Sequence, residues 1–141
     1  MRSVRVVAAV VRRGGRVLVT RRHGDAERGG QWEFPGGKVE PGEEEPEALV
    51  REMLEELGCE VLVRELRART RHRYPDLEVE LAFYECDLAP GAEPRLLGAA
   101  ALEWAEASRL GEYDFCEADR PVLRELSRPP GEPGPGGGVP A

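Results

Sequence analysis

The chain has 141 residues, 40% hydrophobic and 33% charged, with a formal net charge of −7 and a pI near 5.0. That length suits one domain with a real core. The acidic balance excludes a protein that coats DNA or RNA, since phosphate backbones demand basic surface.

In chain order, "SVRVVAAVVRRGGRVLVTRR" predicts two β runs around Gly14-Gly15, a hairpin signal. The run Val6–Val11 is too short for a membrane span, and Arg5 and Arg12 bracket it with no cleavage site after. Residues 23–37 read as a long Gly-rich connection. "PEALVREMLEELG" has helical periodicity and stops at Gly58. Its apolar face is expected to carry Leu49, Val50, Met53, Leu54 and Leu57.

Two strands then follow around Tyr74-Pro75-Asp76, and another is expected within "LGAAALEWAE". "ASRLGEYDF" predicts a short helix or turn and "EADRPVLREL" a final helix. Strands alternating with helices imply a mixed α/β fold. From Pro129 the chain is almost only Pro and Gly, so a domain over 1–128 and a flexible tail over 129–141 are expected. The three cysteines are widely spaced and read as buried small hydrophobes of a reducing cytoplasm.

Glu52, Glu55 and Glu56 share an arc of the first helix roughly 100° wide. Like charges at such spacings repel, and they sit near the negative end of the helix dipole. Either this is a solvated acidic face, or a hard divalent cation such as Mg²⁺ or Mn²⁺ offsets both penalties.

The stretch "GGKVEPGEEEPEALVREMLEELGC" fits the spacing G-x5-E-x7-R-E-U-x-E-E-x-G-U, with seven fixed positions from Gly37 to Gly58. It resembles the Nudix hydrolase family; Cys59 stands where an aliphatic residue is usual. "TRR", "WEFPGGK", "LEVELAFYEC", Trp104 and "ADRPVL" extend the likeness over residues 3–127, in the MutT-like order. The resemblance implies an α/β/α sandwich with a mixed β-sheet between helices. It implies hydrolysis of a (deoxy)nucleoside triphosphate to the monophosphate and pyrophosphate, as in clearing 8-oxo-dGTP or a cytidine-type triphosphate from the nucleotide pool, a task linked to DNA repair. ADP-ribose or another nucleoside diphosphate derivative is the alternative substrate. A nucleotide sensor without turnover is an alternative of another class. The partner expected is a small nucleotide, with no nucleic acid polymer and no membrane, on a cytoplasmic monomer or homodimer.

Carried over residue by residue, Glu52, Glu55, Glu56 and the Gly37 carbonyl would hold Mg²⁺ or Mn²⁺. Arg51 would pair with Glu43 and lock the loop to the helix. Lys38 and Arg22 are candidates for the polyphosphate, Arg22 equally a surface strand residue. Phe34, Trp32 and Tyr74 stand as stacking or core aromatics. Asp119 either reads a base edge or caps the last helix. A loop glutamate common in MutT-like proteins has no counterpart here, because no carboxylate lies between Glu93 and Glu103. Glu55 or Glu56 is then the candidate base. His23 and His72 are expected to face solvent.

Overall fold

A computed structural model describes residues 2–25 and 28–131. Strands β1 (Arg2–Arg13) and β2 (Arg16–Arg21) form the expected hairpin. Gly14 takes φ +61 there, the left-handed backbone that short hairpin loops require. Residues 23–37 are not all loop: β3 (Trp32–Glu33) pairs with β2, and β4 (Gly36–Lys38) pairs with β1. Strands this short carry no readable period-two pattern.

β1 is flanked on both edges, antiparallel to β4 and parallel to β6 (Leu77–Leu88). β5 (Val61–Arg73) lies antiparallel to β6, with register shifts between Val63 and Ala68. β7 (Ala101–Glu106) pairs with β2, giving a seven-stranded mixed sheet ordered β3-β2-β1-β6-β5 with β4 on β1 and β7 on β2.

Alternation along β1 divides the core. Val7, Ala9 and Val11 pack with α1 (Glu45–Leu57) through Leu49, Met53 and Leu57. Ala8 and Val10 pack on the opposite face with Phe34, Phe83, Phe115, Val122 and Leu126. Helical segments thus cover both faces of the sheet, the expected α/β/α sandwich. Cys59, Cys86 and Cys116 are all buried and free.

α1 opens on a capping box between Glu44 and Glu47 and closes at Gly58, whose N–H donates to the Leu54 carbonyl at 3.0 Å and whose φ of +60 turns the Cys59 N–H back to the Met53 carbonyl at 3.4 Å. Leu54, expected on the buried face, is 48% exposed. It lies one residue, about 100°, round from Met53 and clears the sheet. The last helix is also shorter than expected. A 3-10 turn at Arg120–Val122 leads into α2 (Leu123–Leu126), a single helical turn. Pro121 cannot donate a backbone hydrogen bond there.

Two arginines end α2 by taking its carbonyls. Arg12 Nη2 donates to Leu126 and Arg128 at 2.7 Å each, and Arg67 Nη2 donates to Glu125 at 3.1 Å and Arg128 at 2.9 Å. Both guanidinium groups also grip Glu85, a buried carboxylate. Of the expected tail, residues 132–141 lie outside the described residues. Among the described residues no helix is long and apolar enough to cross a membrane.

Candidate active site

β4, which leads into the loop before α1, leaves little room for side chains at its first two residues. A Cβ on Gly36 would strike the Val7 carbonyl, and one on Gly37 would strike the Glu52 carboxylate. Arg51 fastens the loop to the helix. Its Nε donates to Glu43 Oε2 at 2.7 Å, and its Nη2 donates to Glu43 Oε1 at 2.9 Å and the Lys38 carbonyl at 3.0 Å. These bonds, with the Glu40 backbone N–H, lower the Glu43 pKa to about 2. Arg51 Nη1 also reaches Glu52 at 2.9 Å and Glu55 at 3.1 Å, so one guanidinium spans the loop and two of the three helix glutamates.

The third is electrostatically different. Burial pushes Glu56 up to about 7, with Glu33 and Glu52 adding repulsion and Arg22 opposing it. Burial also raises Glu52, against the pull of Arg51. Negative charge is therefore under-compensated where Gly37, Glu52 and Glu56 meet. The donor set is all hard oxygen, which suits Mg²⁺ or Mn²⁺. Among the described residues no three acidic, His or Cys side chains already converge tightly enough to enclose an ion. Glu52 and Glu55 turn instead to Arg51. The fit thus rests on donor chemistry and repulsion, and ligation requires those two carboxylates to exchange Arg51 for the ion.

A cleft of about 350 Å³ runs from this end of α1 along the sheet. It is lined by Glu56, Gly37 and Lys38, and by Arg22, Glu33, Phe34 and Asp119. Arg22 is not a bare surface residue: its Nη1 bonds Glu33 at 3.2 Å. Lys38 is exposed at the cleft. Phe34 lines the cleft but is only 3% exposed, packed edge-on to Phe83 and tilted against Phe115. Of the two readings open for Phe34, the structure favours core packing. Trp32 packs edge-on against Tyr113 and does not line the cleft.

Asp119 makes no side-chain cap. Its Oδ2 instead accepts the Phe34 backbone N–H at 3.1 Å, deep in the cleft, and the side chain is buried. Burial, with Glu33 nearby, holds its pKa well above the ordinary aspartate value. The helix-cap alternative is thereby set aside. Burial raises Glu33 too, while Arg22 pulls it down. The sequence reading missed Glu33; its one signal was a carboxylate set between Trp32 and Phe34 in a strand.

The carboxylate-free loop closes over the end of α1. The Leu97 and Gly98 amides donate to the Glu56 carbonyl, and a Cβ on Gly98 would lie 3.4 Å from Glu56 Cγ. His23 is exposed, as expected, and its Nε2 meets the Gly98 carbonyl at 3.1 Å. His72 is part-buried and its Nε2 meets Glu117 at 2.9 Å.

The chain resembles known proteins over most of its length. The NUDIX domain model matches residues 6–125. The chain is 35% identical to a CTP pyrophosphohydrolase of Escherichia coli, over 87% of this chain and 90% of that one. It is 40% identical to a putative 8-oxo-dGTP diphosphatase 2 of Mycobacterium tuberculosis, over 87% of each. The solution structure of the E. coli ORF135 protein superposes with a TM-score of 0.74 at 34% identity, covering 89% of both chains. A MutT protein from Methanosarcina mazei superposes at 0.78 with 21% identity, over 90% of this chain and 94% of that one, a likeness of fold alone. The chain belongs to the NUDIX domain family and is a Nudix hydrolase.

Proposed function

We propose that this hydrolase cleaves a (deoxy)nucleoside triphosphate to the monophosphate and pyrophosphate, acting on 8-oxo-dGTP or a cytidine-type triphosphate. The observation that carries the reading is one cleft with two unlike ends. Helix glutamates lie at one end and the buried carboxyl of Asp119 at the other, with the half-buried Glu33 close enough to repel both Glu56 and Asp119. A polyphosphate requires the first and a polar base edge the second. The relatives named for CTP and for 8-oxo-dGTP support the same class of substrate.

Glu52, Glu55, Glu56 and the Gly37 carbonyl would hold the Mg²⁺ or Mn²⁺. When bound, the ion neutralises phosphate charge and makes water a better nucleophile. Lys38 and Arg22 line the path of the phosphates and orient them for in-line attack. A carboxylate oxygen of Glu55 or Glu56 accepts the proton of the attacking water, since residues 94–102 supply no other acid. Arg51 keeps the loop in register without meeting substrate. Asp119 and Glu33 read the base edge, and the apolar strand faces beside them exclude water.

Product analysis tests the reading. With Mg²⁺ present, a nucleoside triphosphate should yield monophosphate and pyrophosphate in equal amounts, and EDTA should stop it. Cleavage of ADP-ribose into two monophosphates, with triphosphates untouched, would replace the reading by the dinucleotide one. Binding with no product from either would leave a sensor.

A further inference from the structure

The base end of the cleft has a second wall. Its floor is one face of the parallel pair β1 and β6, where Val4 sits beside Val79 and Val6 beside Leu81. Tyr74, from the β5–β6 turn, and Arg28, from the connection after β2, line the same cleft. The Arg28 guanidinium lies 3.6 Å from the centre of the Tyr74 ring, and its Nη2 reaches Asp76 Oδ1 at 3.3 Å. A planar cation thus sits over an aromatic ring at a ligand-sized opening.

Two further observations separate this pair from surface decoration. Arg28 has φ +57, the only positive value among the described non-glycine residues. A side chain there costs about 1–2 kcal/mol that glycine would not, although Gly29 and Gly30 follow directly. Tyr74 is also tied to the segment carrying Asp119. Its hydroxyl accepts the Ala118 N–H at 3.2 Å, while Thr70 Oγ1 donates to the Ala118 carbonyl at 3.0 Å. The other cation–aromatic contact among the described residues, Arg13 on Trp104, has no residue in this cleft.

We propose that Arg28, held over the Tyr74 ring, is the stacking wall for the nucleobase, and that Tyr74 positions Asp119 through Ala118. Arg28 sets affinity for any base, because every base has a π-face that a guanidinium can meet. Tyr74 sets the choice among bases, because its hydroxyl fixes the backbone one residue before the reading carboxyl. The inference rests on the triphosphate reading above.

The test is steady-state kinetics on a panel of nucleoside triphosphates, with melting temperatures as a check on folding. Arg28→Ala should raise KM roughly three- to thirtyfold for every base, the range of a desolvated cation–π contact, with kcat within about twofold. Arg28→Lys should not restore KM, since it keeps the charge and loses the plane. Rescue by lysine would assign Arg28 to the phosphates, and an unmoved KM in Arg28→Ala would remove it from the site; either overturns the wall. Tyr74→Phe keeps the ring, so KM for the best substrate should rise less than in Arg28→Ala while the kcat/KM ratios between bases shrink severalfold. Unchanged ratios overturn the positioning role. If the wild-type enzyme releases no monophosphate from any triphosphate, the parent reading fails and the wall falls with it; turnover with unmoved variants sinks the wall alone.

Discussion

Asp119 shows what a single side chain can decide. From sequence it is either a cap or a base reader, because an aspartate two residues before a proline fits both. The fold separates them by sending its Oδ2 across the cleft to the Phe34 N–H, 85 positions away in sequence. Asp119→Ala should raise KM for the preferred nucleotide roughly ten- to a hundredfold and flatten preference among bases, leaving kcat nearly unchanged. It should also lower stability by about 1–3 kcal/mol, because the Phe34 amide loses a buried acceptor. Asp119→Asn separates the two effects. The amide oxygen can still accept from Phe34, so the melting temperature should return. The amide nitrogen alters the donor pattern at the base, so base preference should not. Recovery of both, measured on one preparation, would show that Asp119 serves only to hold Phe34.

At the scale of elements, α1 was the most legible part of the chain. Its periodicity, its terminal glycine and its spacing of acids all report local constraints, and the helix runs Glu45–Leu57, starting one residue before the expected Pro46 and stopping at Gly58 as expected. The electrostatic partition among its glutamates was not legible. It depends on Arg51 turning to Glu52 and Glu55, and on Glu33 approaching Glu56 from a different strand. β3 and β4 were hidden for the opposite reason, being too short to show alternation. The partition makes a pH-dependent prediction. The Glu56 pKa of about 7 exceeds its usual value of 4.5, so the folded state binds the extra proton. Without metal, ionising Glu56 costs stability progressively from pH 4.5, and the full cost is present above about 7. Glu56→Gln should therefore melt higher than wild type at pH 8 in EDTA and match it near pH 4.5. The same variant, and Glu55→Gln, should lose about a hundredfold or more in kcat with saturating Mg²⁺, because each removes an oxygen charge from the ion's cradle. Near-normal turnover in both would take the metal away from this helix.

Across the whole molecule, the two faces of β1 bind the parts together. α1, which carries the helix glutamates, packs on one face, and the aromatic core behind Asp119 packs on the other. A shift of the central strand would disturb both ends of the site at once. The C-terminus joins this frame through Glu85, Arg12 and Arg67. No local pattern announced that clamp, because its three members come from β1, β5 and β6 and its acceptors are backbone carbonyls. It also marks where the domain should end. We propose that the boundary falls after Arg128, whose carbonyl takes both arginines, and that the Pro/Gly segment beyond is dispensable. Truncation after Arg128 should leave kcat, KM and melting temperature within error. Truncation after Glu125 removes the Leu126 side chain, fully buried in the core, and two of the carbonyls that satisfy Arg12 and Arg67. That loss should cost about 3–5 kcal/mol, from a cavity and from cations left poorly paired beside Glu85. Thermal melts of the two truncations decide the boundary. A drop of several degrees in the longer one would show that residues past Arg128 pack on the domain.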